Sequence, residues 1–165
     1  MFISLLFGCN VDVEKKQSNI VNNQVDFIML TSEKTLPTNF DDIAFKRDMT
    51  PLQQFLVRKS VNQSEFEEYW MLYGFEQAIP HVDFNENVVF FIGVLESGSC
   101  PSEIKNVEFN INHNTMTIPL SELEGACTTD ATPKTFVIQL EKELSEKIKN
   151  LIIIQSNTKT NVPFE

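Results

Sequence analysis

Apolar and polar positions alternate along most of this chain, and the alternation predicts strands more often than helices. The longest apolar stretch is Val88-Val-Phe-Phe-Ile-Gly-Val-Leu95. Eight such residues are too few to cross a membrane and fit a strand buried on both faces. Val25, Phe27 and Met29 alternate with Asp26 and Ile28 and predict a first strand. Residues 31–51 carry Pro37, Asn39, Asp41, Asp42 and Pro51 and read as loop around a short extended piece, Ile43–Lys46. Phe55–Val57 reads as a further short strand. Val107, Phe109 and Ile111 alternate with Glu108, Asn110 and Asn112. A turn at Asn112-His113-Asn114 then returns the chain through Met116–Leu120, since Asn tolerates left-handed backbone. Thr135–Leu140 alternates again, and Leu151–Ile154 is a last apolar strand.

Helical spacing occurs twice. Phe66, Tyr69, Trp70 and Tyr73 form one stripe at i, i+3, i+4 and i+7. Ser64 with Glu67 reads as a capping box ahead of it, and Gly74 is placed to end it. Glu65, Glu67 and Glu68 complement the positive end of that helix dipole. Leu140, Leu144, Ile148 and Leu151 are spaced for a second helix of two or three turns. These elements predict an α+β domain with a mainly antiparallel β-sheet, a small sandwich or half-barrel, and one or two short helices.

Length adds that one domain is expected, since 165 residues can bury a full core. A net charge of −10 argues against nucleic acid and against electrostatic docking on anionic lipid. The first residues change the picture most. Leu6-Phe7-Gly8-Cys9 resembles the lipobox of a bacterial lipoprotein signal, with Cys9 the acylated residue. No Lys or Arg precedes Cys9, and the apolar segment is short for an export signal, so Met1 reads as lying inside a longer one. Residues 1–9 are therefore read as a partial signal, 10–24 as a flexible polar tether, and 25–165 as the folded body. The expected location is the cell envelope, with the membrane reached only through the lipid.

Three cysteines in an exported protein divide into one lipidated and two paired, Cys100 with Cys127. The pairing would tie Glu96-Ser97-Gly98-Ser99-Cys100-Pro101 to Cys127-Thr128-Thr129-Asp130 and on to Thr132-Pro133. Those loops are the candidate interaction surface, because loops on a rigid sheet concentrate binding residues. Structural bracing is the alternative role. Other chemistry finds little support. A zinc site needs more Cys or His nearby than His81 and His113 supply. Asp83-x-Asn85-x-Asn87 mimics the start of a calcium loop, but Val88 and Val94 occupy its sixth and twelfth positions. Phosphate-binding and nucleophile-elbow motifs do not occur. No catalytic residue, metal or cofactor is assigned.

Glu68-Tyr69-Trp70, then Pro80-His81-Val82-Asp83-Phe84, then Val88–Gly93 and a Ser/Gly-rich turn resemble the PrcB-like domain. That family is named for a lipoprotein that stabilises a surface protease complex. The resemblance spans roughly residues 55–140, including Thr132-Pro133 before a strand. It implies a non-catalytic binding or assembly domain with a protein partner. The turn departs from the Thr-Gly-Gly-Tyr-like form common there, reading Ser97-Gly98-Ser99-Cys100-Pro101 instead. Two other function classes stay open: a small-molecule or ion carrier with a Phe-lined cavity, and a hydrolase or thiol enzyme using Cys100.

Overall fold

The structure, a computed structural model, describes residues 23–122 and 125–165. In chain order the strands are β1 (Asn23–Val25), β2 (Ile28–Glu33), β3 (Phe45–Lys46), β4 (Gln54–Ser60), β5 (Asn87–Glu96) and β6 (Glu103–Ile104). They continue with β7 (Val107–Asn110), β8 (Thr115–Ser121), β9 (Thr132–Glu141), β10 (Asn150–Gln155) and β11 (Thr158–Val162). The helices are α1 (Phe40–Ile43), α2 (Gln63–Leu72) and α3 (Lys142–Ser145).

Two sheets form a sandwich. One runs β1-β7-β8-β10-β11, with β6 also paired to β8; the other runs β2-β9-β5-β4-β3. Pairing between these strands is antiparallel except where β10 runs parallel to β8. The expected mainly antiparallel α+β sandwich is the observed fold.

β5 is the middle strand of the second sheet and is buried on both faces, as its unbroken apolar run predicts. Val88, Phe90, Ile92 and Val94 point between the sheets, against Phe136 and Ile138 of β9 and Met116 and Ile118 of β8. Val89 and Phe91 point the other way, into a second core with Leu56, Phe66, Trp70 and Tyr73. Gly93 faces that second core at close quarters. A Cβ there would lie 2.7 Å from Leu36 Cδ2 and 3.1 Å from Tyr73 Cε1.

α2 supplies the outer layer. Its cap is Asn62, two residues before the expected Ser64. Asn62 has extended backbone and its side chain accepts from Glu65 N at 3.0 Å, while Glu65 Oε2 accepts from Val61 N at 2.9 Å. Ser64 therefore lies inside the first turn. Gly74 ends the helix as expected, with φ +76°. Its N–H donates to Met71 O and that of Phe75 to Trp70 O, a Schellman closure sealed by the Trp70–Phe75 ring contact at 4.6 Å. The Tyr73 hydroxyl donates to Leu56 O at 3.0 Å, and burial pushes its phenol pKa up, so it stays a neutral donor. Replacing the cap, Asn62→Ala, is expected to cost about 1 kcal/mol, with Asn62→Ser retaining most of it. A urea titration of the three proteins, followed by circular dichroism, measures the difference.

Several expectations need correcting. The Val25-Phe27-Met29 alternation is shared by two strands in different sheets, and the chain crosses between them at Asp26-Phe27. Asn23 and Gln24, read as tether, already pair with Phe109 and Glu108. Cys9 and the rest of residues 1–22 lie outside the described residues. β2 runs on to Glu33, into the stretch read as loop, and Ile43 closes α1 instead of opening an extended piece. The helix expected over Leu140–Leu151 is one turn, α3. Leu140 belongs to β9 and Leu151 to β10, and all four leucine and isoleucine positions meet in the inter-sheet core.

Candidate functional site

The candidate loops leave neighbouring strands at one end of the sandwich. β5 and β9 pair along their whole length, from Asn87↔Glu141 to Glu96↔Thr132. The segment after β5 and the segment before β9 therefore start side by side. The expected disulfide joins them: Cys100 and Cys127 are bonded, 27 positions apart in sequence and 5.6 Å apart at Cα. Cys100 is buried and Cys127 exposed.

Around the disulfide, hydroxyls and one carboxylate lock the two loops together. Thr128 N donates to Ser99 Oγ at 2.8 Å, and the Ser97 and Thr128 hydroxyls are 3.1 Å apart. Asp130 reaches across to Gly98, whose N–H donates to both carboxylate oxygens at 3.2 Å. The Thr128 and Thr132 hydroxyls also donate to Asp130. Gly98 is required by this approach, because a Cβ at that position would run into Asp130 Oδ2. Pro133 pairs with Leu95 at the base, and Pro101 leads to Ser102, whose N–H donates to Glu96 Oε2 at 2.6 Å.

The bonds from Thr128 and Thr132, and then that from Gly98 N–H, hold the Asp130 carboxyl below the usual carboxylate range. Its folded pKa is thus depressed relative to the unfolded chain. The clamp is intact above the ordinary Asp range and is lost as pH falls through the lowered value. NMR titration of the carboxyl carbon should show Asp130 protonating below the ordinary range of an aspartate. The Gly98 amide shift should follow the same midpoint, and the Gly98 response should vanish in Asp130→Asn.

Beside the loops lies a cleft of about 570 Å³. Its walls include Leu52, Glu96, Glu122, Thr129, Asp130 and Gln155. A chain of amides braces its far side. Gln155 Nε2 donates to Leu95 O at 2.7 Å, Gln53 Nε2 to Gln155 O at 3.2 Å, and Thr160 Oγ1 to Gln53 Oε1 at 3.3 Å. The β3–β4 turn rises on the rim and exposes Met49 at 67% and Leu52 at 82%, apolar side chains left in water. Sequence reasoning singled out neither this turn nor Gln53, Glu122 and Gln155. They are polar or isolated apolar residues at strand ends, with no spacing that marks them.

The remaining chemistry-bearing residues stand apart. His81 and His113 are both exposed, and His113 N donates to Asn110 in the β7–β8 turn. Asp83 Oδ1 accepts from both the backbone and the side chain of Asn85, so the calcium-like triad is a self-bonded turn. Among the described residues no three His, Cys, Asp or Glu gather as a metal would need. Compared with family models, curated proteins and solved structures, this chain matches none.

Proposed function

We propose that this chain is the folded body of a cell-envelope lipoprotein, anchored through Cys9, that works as a non-catalytic protein-interaction or assembly module. The contact surface is the pair of loops Glu96–Ser102 and Cys127–Pro133. The observation that carries this reading is their union: one disulfide and the Asp130 clamp make two loops a single exposed, preorganised patch. Preorganisation lowers the ordering cost of association. Met49 and Leu52 beside it offer the exposed apolar side chains that an interface core uses.

Two further features support it. The described chain begins at Asn23, paired with Phe109 near the β7–β8 turn, whereas the loops adjoin β6 and the end of β8 at the opposite end of that sheet. A tether joined at Asn23 therefore enters the body away from the loops and does not cover them. The PrcB-like resemblance, with its aromatic helix and Pro80–Phe84 segment, points to partner stabilisation, a protease complex being one such partner. Capture from detergent-solubilised envelopes of the native host, using the full chain as bait, tests the proposal. Specific recovery of one protein, lost when residues 97–99 and 128–130 are replaced by Gly-Ser, is the expected result. Recovery unchanged by that replacement overturns it.

A further inference from the structure

The cleft beside the loops has a charge pattern that the described residues leave unanswered. Glu96, Glu122 and Asp130 line it, and among the described residues no Lys, Arg or His does. The ion pairs among the described residues, Arg58–Glu165, Lys105–Glu103 and Lys147–Glu143, involve none of the three. Among the described residues, Glu122 accepts from the Ser156 hydroxyl, at 3.1 Å. Arg47 stands at the base of the turn that carries Leu52, yet does not line the cleft.

Glu96 is the decisive residue. It is 4% exposed and ends β5, on the side of Val94, so its side chain enters the space between the sheets at the end where the cleft opens. Oε2 accepts from Ser102 N, but Oε1 is buried with no hydrogen-bond partner, as is the Ser102 hydroxyl. A buried carboxylate oxygen without a donor is costly, and a donor brought from outside relieves that cost.

We infer that the cleft receives an arginine side chain of the protein partner, with Glu96 and Glu122 as its carboxylate acceptors. The inference rests on the interaction reading above and names the chemistry of its partner. Arginine fits better than lysine because the cleft offers more than one carboxylate acceptor. A planar guanidinium presents five N–H donors, whereas an ammonium is a compact point charge that holds its water more strongly. Leu52 and Pro51 on the wall give the aliphatic stem an apolar surface to lie along.

The test uses the full chain in its oxidised form and ¹⁵N NMR. Three blocked tripeptides are titrated at low salt: acetyl-Gly-Arg-Gly-amide, its lysine counterpart, and its citrulline counterpart, which keeps the shape and loses the charge. The arginine peptide should move amides of residues 96–102, 125–131 and 155–156. Lysine should do so more weakly, and citrulline should leave them in place. Glu122→Gln, on the partly exposed wall, should weaken the arginine response about fivefold. Glu96→Gln should remove it, with the unliganded spectrum reporting that the fold is kept; Glu122→Gln carries the test if it is not. Equal shifts from arginine and citrulline, or an arginine response unaltered in Glu122→Gln, overturn the inference. Loop-dependent capture that persists alongside such a result leaves the interaction reading standing. Arginine binding without loop-dependent capture does the reverse.

Discussion

Phe91→Ala is expected to lower stability by about 3–5 kcal/mol, the largest loss from any single truncation in this domain. Phe91 sits at the middle of β5 with no exposed surface, on the face turned toward α2. Five aromatic rings surround it. Tyr73 stacks at 5.3 Å, Phe66 and Tyr69 lie at 5.7 and 5.8 Å, and Trp70 and Phe75 each at 6.4 Å. Removing the ring forfeits its own transfer free energy and its edge-to-face contacts. It also leaves a cavity whose walls are anchored elsewhere: Trp70 by its Nε1 bond to Gln77 O, and Tyr73 by its hydroxyl on Leu56 O. Those anchors hinder collapse, which places the cost high in the usual range. Phe91→Leu refills most of the space and should cost less than half as much. Urea unfolding of the three proteins decides the matter. An alanine variant within 1 kcal/mol of the parent would mean that the second core is not built around this ring.

Loss of the disulfide is the second large effect. A closed loop of 27 residues restricts the unfolded chain by about 3.5 kcal/mol in the chain-entropy treatment. Cys100→Ser with Cys127→Ser should therefore unfold about 7–14 °C below the parent, given about 2–4 °C per kcal/mol for a domain of this size. Reduction of the parent protein should produce the same drop, and the double variant should not respond to reductant. The core strands should survive, since the β5–β9 pairing is held by hydrogen bonds and by buried side chains on both sides. What should go first is the Asp130–Gly98 clamp, which spans the two loops that the sulfurs join. A parent and double variant with equal melting points would assign the bond no part in stability.

How much of this could be read from the residues follows from how each element is buried. β5 was legible because burial on two faces leaves no polar positions in the run. The β7–β8 hairpin was legible because one face is wet and Asn114 takes the left-handed turn, φ 50°. β11 was not, because Thr158-Lys-Thr-Asn-Val162 lies at a sheet edge and only Thr160 and Val162 are buried. The Leu140–Leu151 spacing misled because a strand, a single turn of helix and another strand delivered side chains to one core at a helix-like interval. The start of α2 slipped by two residues because Asn62 with Glu65 and Ser64 with Glu67 offer the same signal in sequence. The disulfide came from counting cysteines. The clamp did not, since Gly98 and Asp130 meet only after β5 and β9 have paired. The cleft was beyond reach for the same reason: its walls come from the β3–β4 turn, both disulfide-joined loops and the end of β10.

The sheet β2-β9-β5-β4-β3 serves as a wall shared by two apolar interiors. Neighbouring residues of one strand, Phe90 and Phe91, are committed to opposite chambers. Opening either chamber would wet one face of the same strand, so the helical flank and the far sheet both draw their burial from a single sheet and each loses apolar cover when that sheet is disturbed.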